Sequence, residues 1–202
     1  MIQLMNKELI VATTNAAKLD EIRLMLNDGG FCVLGLGDIG DYDQAIEDGG
    51  SFEANAAIKA LALSKKINKP VLADDSGLCV DYMDNEPGVD SALFMGEDTP
   101  YSIRCAEILR RLDCANDNER GAKFVCVMAL AMPDTDDVIY TKGEIHGQIA
   151  KEPAGGGGFG YDPIFFVPQF NKTLAELSSD EKNKISHRGQ ALRLMADRLK
   201  QI

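Results

Sequence analysis

The chain has 202 residues, 45% hydrophobic and 26% charged, enough for an ordinary buried core, and carries a net charge of −11. That charge excludes a nucleic-acid polymer as partner, because neutralising a phosphate backbone needs a basic stripe that is missing, whereas a small phosphate ligand needs only a few local cations. The longest apolar stretches, such as Phe124 to Met132, are too short to cross a bilayer, and Met1-Ile2-Gln3-Leu4-Met5 lacks a signal-peptide pattern, so a cytoplasmic chain is expected.

A single domain over residues 1–202 is expected, since no Pro/Ser linker, like-charge block or fixed-period repeat divides the sequence. Leu9-Ile10-Val11-Ala12 reads as a strand, and Leu19, Ile22, Met25 and Leu26 then recur at helical spacing. The segment Thr13, Thr14, Asn15, Ala16, Ala17 and Lys18 therefore joins a strand to a helix N-terminus, where N–H groups and the positive dipole end favour an anion. A lysine in the first turn opposes that dipole, so Lys18 suggests a phosphate held between it and the amides. A capping Thr or Asn beside a solvated Lys gives the same pattern. The spacing of a Walker A loop is absent.

Phe31 to Leu36 is a second strand, and Ser51 opens an alanine-rich helix that runs to about Ile67 and ends at Asn68-Lys69-Pro70. Asn55 and Lys59 are four apart and share a helix face. Lys59 can thus join a phosphate cluster, while Glu47 offers a metal carboxylate; an acidic stretch before a helix also fits a solvated charge bias. Val71-Leu72-Ala73 predicts a buried strand ending at Asp74-Asp75-Ser76-Gly77. Adjacent carboxylates stay ionised together only if cations or donors compensate them, and alternation along a strand points Asp74 and Asp75 apart, one to the site and one to support. An Asp-Ser-Gly turn is the alternative.

Pro100 to Leu112 reads as a helix, and Phe124 to Met132 and Val138 to Ile149 as paired strands. Four glycines, Gly155 to Gly158, then pass into Phe159-Gly160-Tyr161-Asp162-Pro163 and the apolar run Ile164 to Val167. A linker would stay polar, so this predicts a structured loop whose backbone admits a flat, polar ligand beside an aromatic face. Ser186 is a candidate N-cap that sets His187 and Arg188 in the first turn of the last helix with donors facing outward; a solvated basic patch fits as well. Leu192, Met195, Ala196 and Leu199 give that helix a core-facing stripe. The alternation of strands and helices indicates an α/β fold around a mixed sheet, with ligand loops at strand ends.

Five cysteines, odd in number and never in a C-x-x-C pair, disfavour a disulfide framework and a zinc site. With only His146 and His187 present, any metal must be hard and carboxylate-bound.

Four stretches in this order resemble the inosine triphosphate pyrophosphatase family: Thr13 to Lys18, Ala-Asp-Asp-Ser-Gly-Leu at 73–78, Gly-Gly-Phe-Gly-Tyr-Asp-Pro-Ile-Phe at 157–165 and Ile-Ser-His-Arg-Gly-Gln-Ala at 185–191. The resemblance covers essentially the whole chain. It implies an elongated α/β fold with a long central mixed sheet, flanking helices forming two lobes around a substrate cleft, and a homodimer. It also implies Mg²⁺-dependent cleavage of ITP, dITP or XTP, purine nucleoside triphosphates, to the monophosphate and pyrophosphate.

Residue by residue, Thr13 to Lys18 match the phosphate-binding start, Asp75 the catalytic metal-associated carboxylate, and Ser76 a substrate contact. Phe159, Gly160, Tyr161, Asp162, Lys182, His187 and Arg188 match the nucleotide-binding positions. Ile46-Glu47-Asp48-Gly49 departs from the family's Glu-Glu-Thr-Gly, which bears on Glu47 as second metal ligand, and Asp90-Ser91-Ala92-Leu93-Phe94 lacks the arginine of Tyr-Ser-Ala-Arg-Tyr. Lys18, Lys59 and Lys182 are expected to neutralise charge on the leaving oxygens, and His187 and Arg188 to donate to the 6-oxo group of a purine. A pyrophosphatase for pyrimidine or modified triphosphates, and a nucleotide-binding regulator without hydrolysis, are the rival functions.

Overall fold

The computed structural model describes residues 8–27, 30–40, 42 and 45–201. The Met1 to Met5 reading lies outside the described residues. Strand β1 (Glu8–Val11) leads into α1 (Ala16–Asn27), then β2 (Cys32–Gly35), a short α2 (Leu36–Ile39) and the long α3 (Phe52–Ile67). After β3 (Val71–Val80) come α4 (Tyr101–Arg111), β4 (Gly121–Ala131), β5 (Val138–Ile149), β6 (Phe165–Val167), β7 (Lys172–Thr173), α5 (Ser179–Ile185) and α6 (His187–Leu199). The strands hydrogen-bond in the order β2-β1-β3-β4-β5-β6-β7. β1 lies parallel to β2 and β3, whereas β6 lies antiparallel to β5 and β7, so the sheet is mixed as the alternation of elements predicts.

Contacts divide the chain into two compact units, one of Met1–Asp75, Cys126–Gly143 and Arg188–Ile202, the other of Ser76–Val125 and Glu144–His187. Each has its own apolar core. In the first, Ile22 and Leu26 of α1 and Ala191, Leu192, Met195 and Leu199 of α6 pack with Leu9, Val11, Leu72 and Met128 of the strands. In the second, Leu78, Ile108, Phe124, Phe165 and Leu174 pack together.

Local chemistry fixes the helix ends. Ser51 Oγ accepts from the Ala54 amide at 3.1 Å, and α3 stops at Asn68, which adopts the left-handed conformation at φ 55° ahead of Pro70. One expectation is corrected here. β3 does not end at Ala73 but continues through Asp74, Asp75, Ser76 and Gly77 to Val80, with nine of its ten residues buried. The carboxylates therefore belong to a strand interior and not to a turn, and their charge must be met by side chains from other elements. Cys79, Cys105 and Cys126 are buried, while Cys32 and Cys114 are exposed. Among the described residues no helix is long and apolar enough to cross a membrane.

Candidate active site

In the first unit, charges gather around Asp74 and Asp75, which are 1% and 5% exposed. The strand pleat sends the two carboxylates to different partners. Asp74 meets the Lys18 ammonium at 2.9 Å and the Arg188 guanidinium at 3.3 Å. Asp75 lies 3.7 Å from the Lys59 ammonium and accepts a hydrogen bond from Asn55 at 3.2 Å. Lys59, itself buried, also donates to Glu47 at 2.9 Å, so one ammonium bridges two carboxylates.

This arrangement pushes the two aspartates in opposite directions. Burial alone would raise both; at Asp74 the surrounding Lys18, Arg188 and Lys59 outweigh it and hold the carboxyl well below the usual range. At Asp75 burial prevails, with Lys59 and Lys18 pulling down and Glu47 and Asp74 pushing up, and its carboxyl rises to about 6. Burial would lower the Lys59 ammonium, but Asp74, Asp75 and Glu47 reverse that and raise it. The thiol of Cys126 is driven up to about 12 by burial, which leaves it unreactive.

At the strand–helix junction both sequence readings are realised in part. Asn15 Oδ1 caps α1 by accepting from the Lys18 amide at 3.1 Å, and Thr13 Oγ1 accepts from the Asn15 amide at 3.2 Å. Lys18 is half-buried, with its ammonium on Asp74. Thr14 and Ala16 are exposed and Ala17 half-buried at the start of the helix. Ser76 follows Asp75 within β3.

The second unit assembles the glycine-rich loop. Asp162 accepts from the Phe159 amide at 2.8 Å and from the Lys182 ammonium at 2.7 Å, and that ammonium sits 4.6 Å from the centroid of the Phe159 ring. Asp162 thus organises the loop as well as standing among the expected contacts. Gly158 has φ +67°, and a Cβ there would fall 2.1 Å from Asp162 Oδ2, so the close approach that demands glycine is to the chain itself. Gly160 has φ +66°. Tyr161 is buried, donates to the Ser91 carbonyl at 2.8 Å and meets Tyr101 edge to face at 5.2 Å.

The outward-facing donors expected at His187 and Arg188 are corrected. Both occupy the first turn of α6, but they are 5% and 2% exposed. The His187 ring stacks on Phe124, centroids 4.8 Å apart and planes 10° off parallel. The Arg188 guanidinium donates to Glu21 at 2.6 Å and to Asp74. Sequence reasoning missed Glu21, which stands 167 residues from its partner, and gave Asn55 no role beyond its shared face with Lys59. Replacing Lys182 by Met leaves the Asp162 carboxylate, 3% exposed, without its cation and should destabilise the protein by about 3–5 kcal/mol. Urea unfolding checks this; a loss under about 1 kcal/mol would show that Lys182 does not compensate Asp162.

The Ham1 family model matches residues 9–198. Relatives named dITP/XTP pyrophosphatase include one from Bacillus licheniformis, 44% identical over 96% of this chain and 99% of its own, and one from Bacillus subtilis, 43% identical over 94% and 96%. Among solved structures, a HAM1 protein from Coxiella burnetii superposes with a TM-score of 0.88 at 38% identity, covering 96% of this chain and 99% of that one. A nucleoside-triphosphatase, dITP/XTP pyrophosphatase from Mycobacterium abscessus, superposes with a TM-score of 0.74 at 39% identity, covering 93% and 98%.

Proposed function

The chain belongs to the Ham1 family, and on that premise we propose that it hydrolyses the triphosphates of deaminated purines, ITP, dITP and XTP, to the monophosphate and pyrophosphate. The observation that carries this reading is the pair of adjacent buried carboxylates in β3, one locked by cations and the other raised to about 6. A site that only bound phosphates would gain little from carboxylates facing them.

In the reaction a water oxygen bonds to the α-phosphorus, the bond from that phosphorus to the α–β bridging oxygen breaks, and pyrophosphate departs. Asp75, held by Asn55 and facing Lys59, takes the proton of the attacking water. Lys18 and Lys59, oriented by Asp74, Asp75 and Glu47, meet the charge that grows on the phosphate oxygens. Asp74 stays ionised and holds Lys18 and Arg188 in place.

Enzymes of this family are metal-dependent. Among the described residues no group of three or more metal-binding side chains gathers, so a divalent ion would take two protein donors, the Asp75 and Glu47 carboxylates that share one ammonium, where Glu47 raises Asp75 by repulsion that a cation relieves. We assign the ion as Mg²⁺, which Asp75 and Glu47 would hold, since Mg²⁺ favours hard oxygen donors and one or two carboxylates. When bound, it supplies Lewis-acid neutralisation of the phosphate oxygens.

For the base, Phe159 offers a stacking face and the Lys182 ammonium a donor suited to the 6-oxo group of hypoxanthine or xanthine. The 6-amino group of adenine sets a donor against that donor. His187, in the same unit, stacks on Phe124. We read the protein further as a homodimer, on the strength of the resemblance, and as a single cytoplasmic domain, on the sequence reading; sedimentation equilibrium checks the dimer.

One assay tests the assignment: pyrophosphate release with Mg²⁺ from ITP, XTP, dITP, GTP, ATP and dTTP. Release from ITP, dITP and XTP should exceed that from ATP by about 100-fold or more in kcat/KM. Equal activity on ATP and ITP overturns the base assignment, preference for dTTP favours a pyrimidine enzyme, and ITP binding without release favours a regulator.

A further inference from the structure

Asn55 is buried on the face of α3 that also carries Lys59, and its side chain reaches in two directions. The amide nitrogen donates to Asp75 Oδ2 at 3.2 Å, and the amide oxygen accepts from the Gly49 backbone N–H at 2.9 Å. The second bond fixes the first, because once Oδ1 is engaged by a backbone donor the NH₂ end must face the carboxylate. Gly49 lies two residues after Glu47. A Cβ at position 49 would fall 2.6 Å from the Ala54 side chain and 3.0 Å from Asn55 Oδ1, so the acidic loop is drawn onto α3 as closely as a glycine permits.

From this geometry we propose that Asn55 is a positioning residue for the metal-dependent reaction: its amide sets the spacing of Glu47 and Asp75 and turns Asp75 so that Oδ2 is held and Oδ1 faces Lys59. Lys59 bridges the same two carboxylates through charge, with its ammonium at 2.9 and 3.7 Å. An ammonium donates in any direction its tetrahedron allows, whereas a planar amide pinned at one end presents its donors along one line. The two bridges therefore divide the work. Lys59 balances charge and Asn55 supplies orientation, as partners of ligating carboxylates do in metal sites generally. The inference rests on Asp75 and Glu47 as the metal carboxylates of the proposed function.

Two variants test it. Asn55→Leu removes both bonds at similar volume; Asn55→Asp keeps the acceptor for Gly49 and sets a second carboxyl, in place of the donor, against Asp75. Three readouts are taken: steady-state kinetics on ITP at saturating Mg²⁺, Mg²⁺ titration of the nucleotide-free protein by isothermal calorimetry, and the melting temperature without metal.

For Asn55→Leu the expected result is a kcat lowered about 10–100-fold, a KM for ITP within about threefold of wild type, and a Mg²⁺ dissociation constant weakened about tenfold. For Asn55→Asp the expected result is a kcat lowered at least about tenfold in the chain that remains folded at the assay temperature. A merely structural asparagine would lower the melting temperature and leave kcat and Mg²⁺ affinity of the folded fraction unchanged, and that result overturns the proposal. So does an Asn55→Asp enzyme with wild-type kcat, even where Asn55→Leu fails to fold. Wild-type enzyme in the same assay separates the two levels: no pyrophosphate from wild type defeats the proposed function, whereas normal wild-type release with unaffected variants defeats only the role of Asn55.

Discussion

Replacing Asp75 by Asn should lower kcat for pyrophosphate release from ITP by about 10³-fold or more, with KM changed only a few-fold. The substitution preserves shape and removes two capacities. An amide cannot take the proton of the attacking water, a loss of about 10²–10⁴-fold for a positioned base. It is also a poorer ligand for a hard divalent ion than a carboxylate. Binding survives because Lys59 keeps Glu47 at 2.9 Å and Lys18 keeps Asp74 at 2.9 Å, so the cations that meet the phosphates stay in place.

The same change carries an opposite expectation for stability. The folded protein raises the Asp75 carboxyl from 3.8 to about 6, so folding binds its proton more tightly than the unfolded chain does. A raised carboxyl costs nothing below the unfolded value near pH 4, and its cost grows as pH climbs through 6, reaching about 3 kcal/mol at neutral pH. Metal-free Asp75→Asn should therefore be more stable than metal-free wild type at pH 7.5, and the two should converge as pH falls toward 4. Urea unfolding in chelator at the two pH values checks this. Near wild-type pyrophosphate release from the variant would show that Asp75 is not the base, and equal urea midpoints at pH 7.5 that its carboxyl is not raised by the fold.

How much of this was legible in the sequence depends on the range of the interaction concerned. Asn15 as the cap of α1, Ser51 as the cap of α3 and Asn68 as its stop are decided within four residues, and sequence reading placed them at or near their observed sites. The stripe of α6 was equally legible, because helical period alone selects Leu192, Met195 and Leu199. β3 was truncated because two aspartates interrupt an apolar run, and only partners brought by α1, α3 and α6 make their burial tolerable. For the same reason Arg188 was read as an outward donor: nothing near it in sequence announces Glu21 or Asp74. The glycine-rich loop was recognised as structured, but its backbone was expected to make room for a ligand, whereas Gly158 makes room for Asp162.

Asp74→Ala should destabilise the protein by about 3–5 kcal/mol, the cost of breaking a buried charge cluster by removing one partner. Asp74 is 1% exposed and Arg188 2%, and without the aspartate the guanidinium keeps Glu21 while Lys18 loses the carboxylate it sits on. Water cannot readily replace a partner at that depth, so the penalty is desolvation of a remaining charge and not simply a lost attraction. Since the folded protein holds the Asp74 carboxyl below its unfolded value, this contribution is complete above about pH 4 and fades only as pH falls through the lower, folded value. The stability gap between wild type and Asp74→Ala should therefore stay constant from pH 5 to 8, unlike that of Asp75→Asn, which opens across that range. Urea midpoints at several pH values distinguish the two neighbours. A gap at Asp74 under 1 kcal/mol would mean that Lys18 and Arg188 hold their places without it, and that the locked carboxylate is not what frames the site.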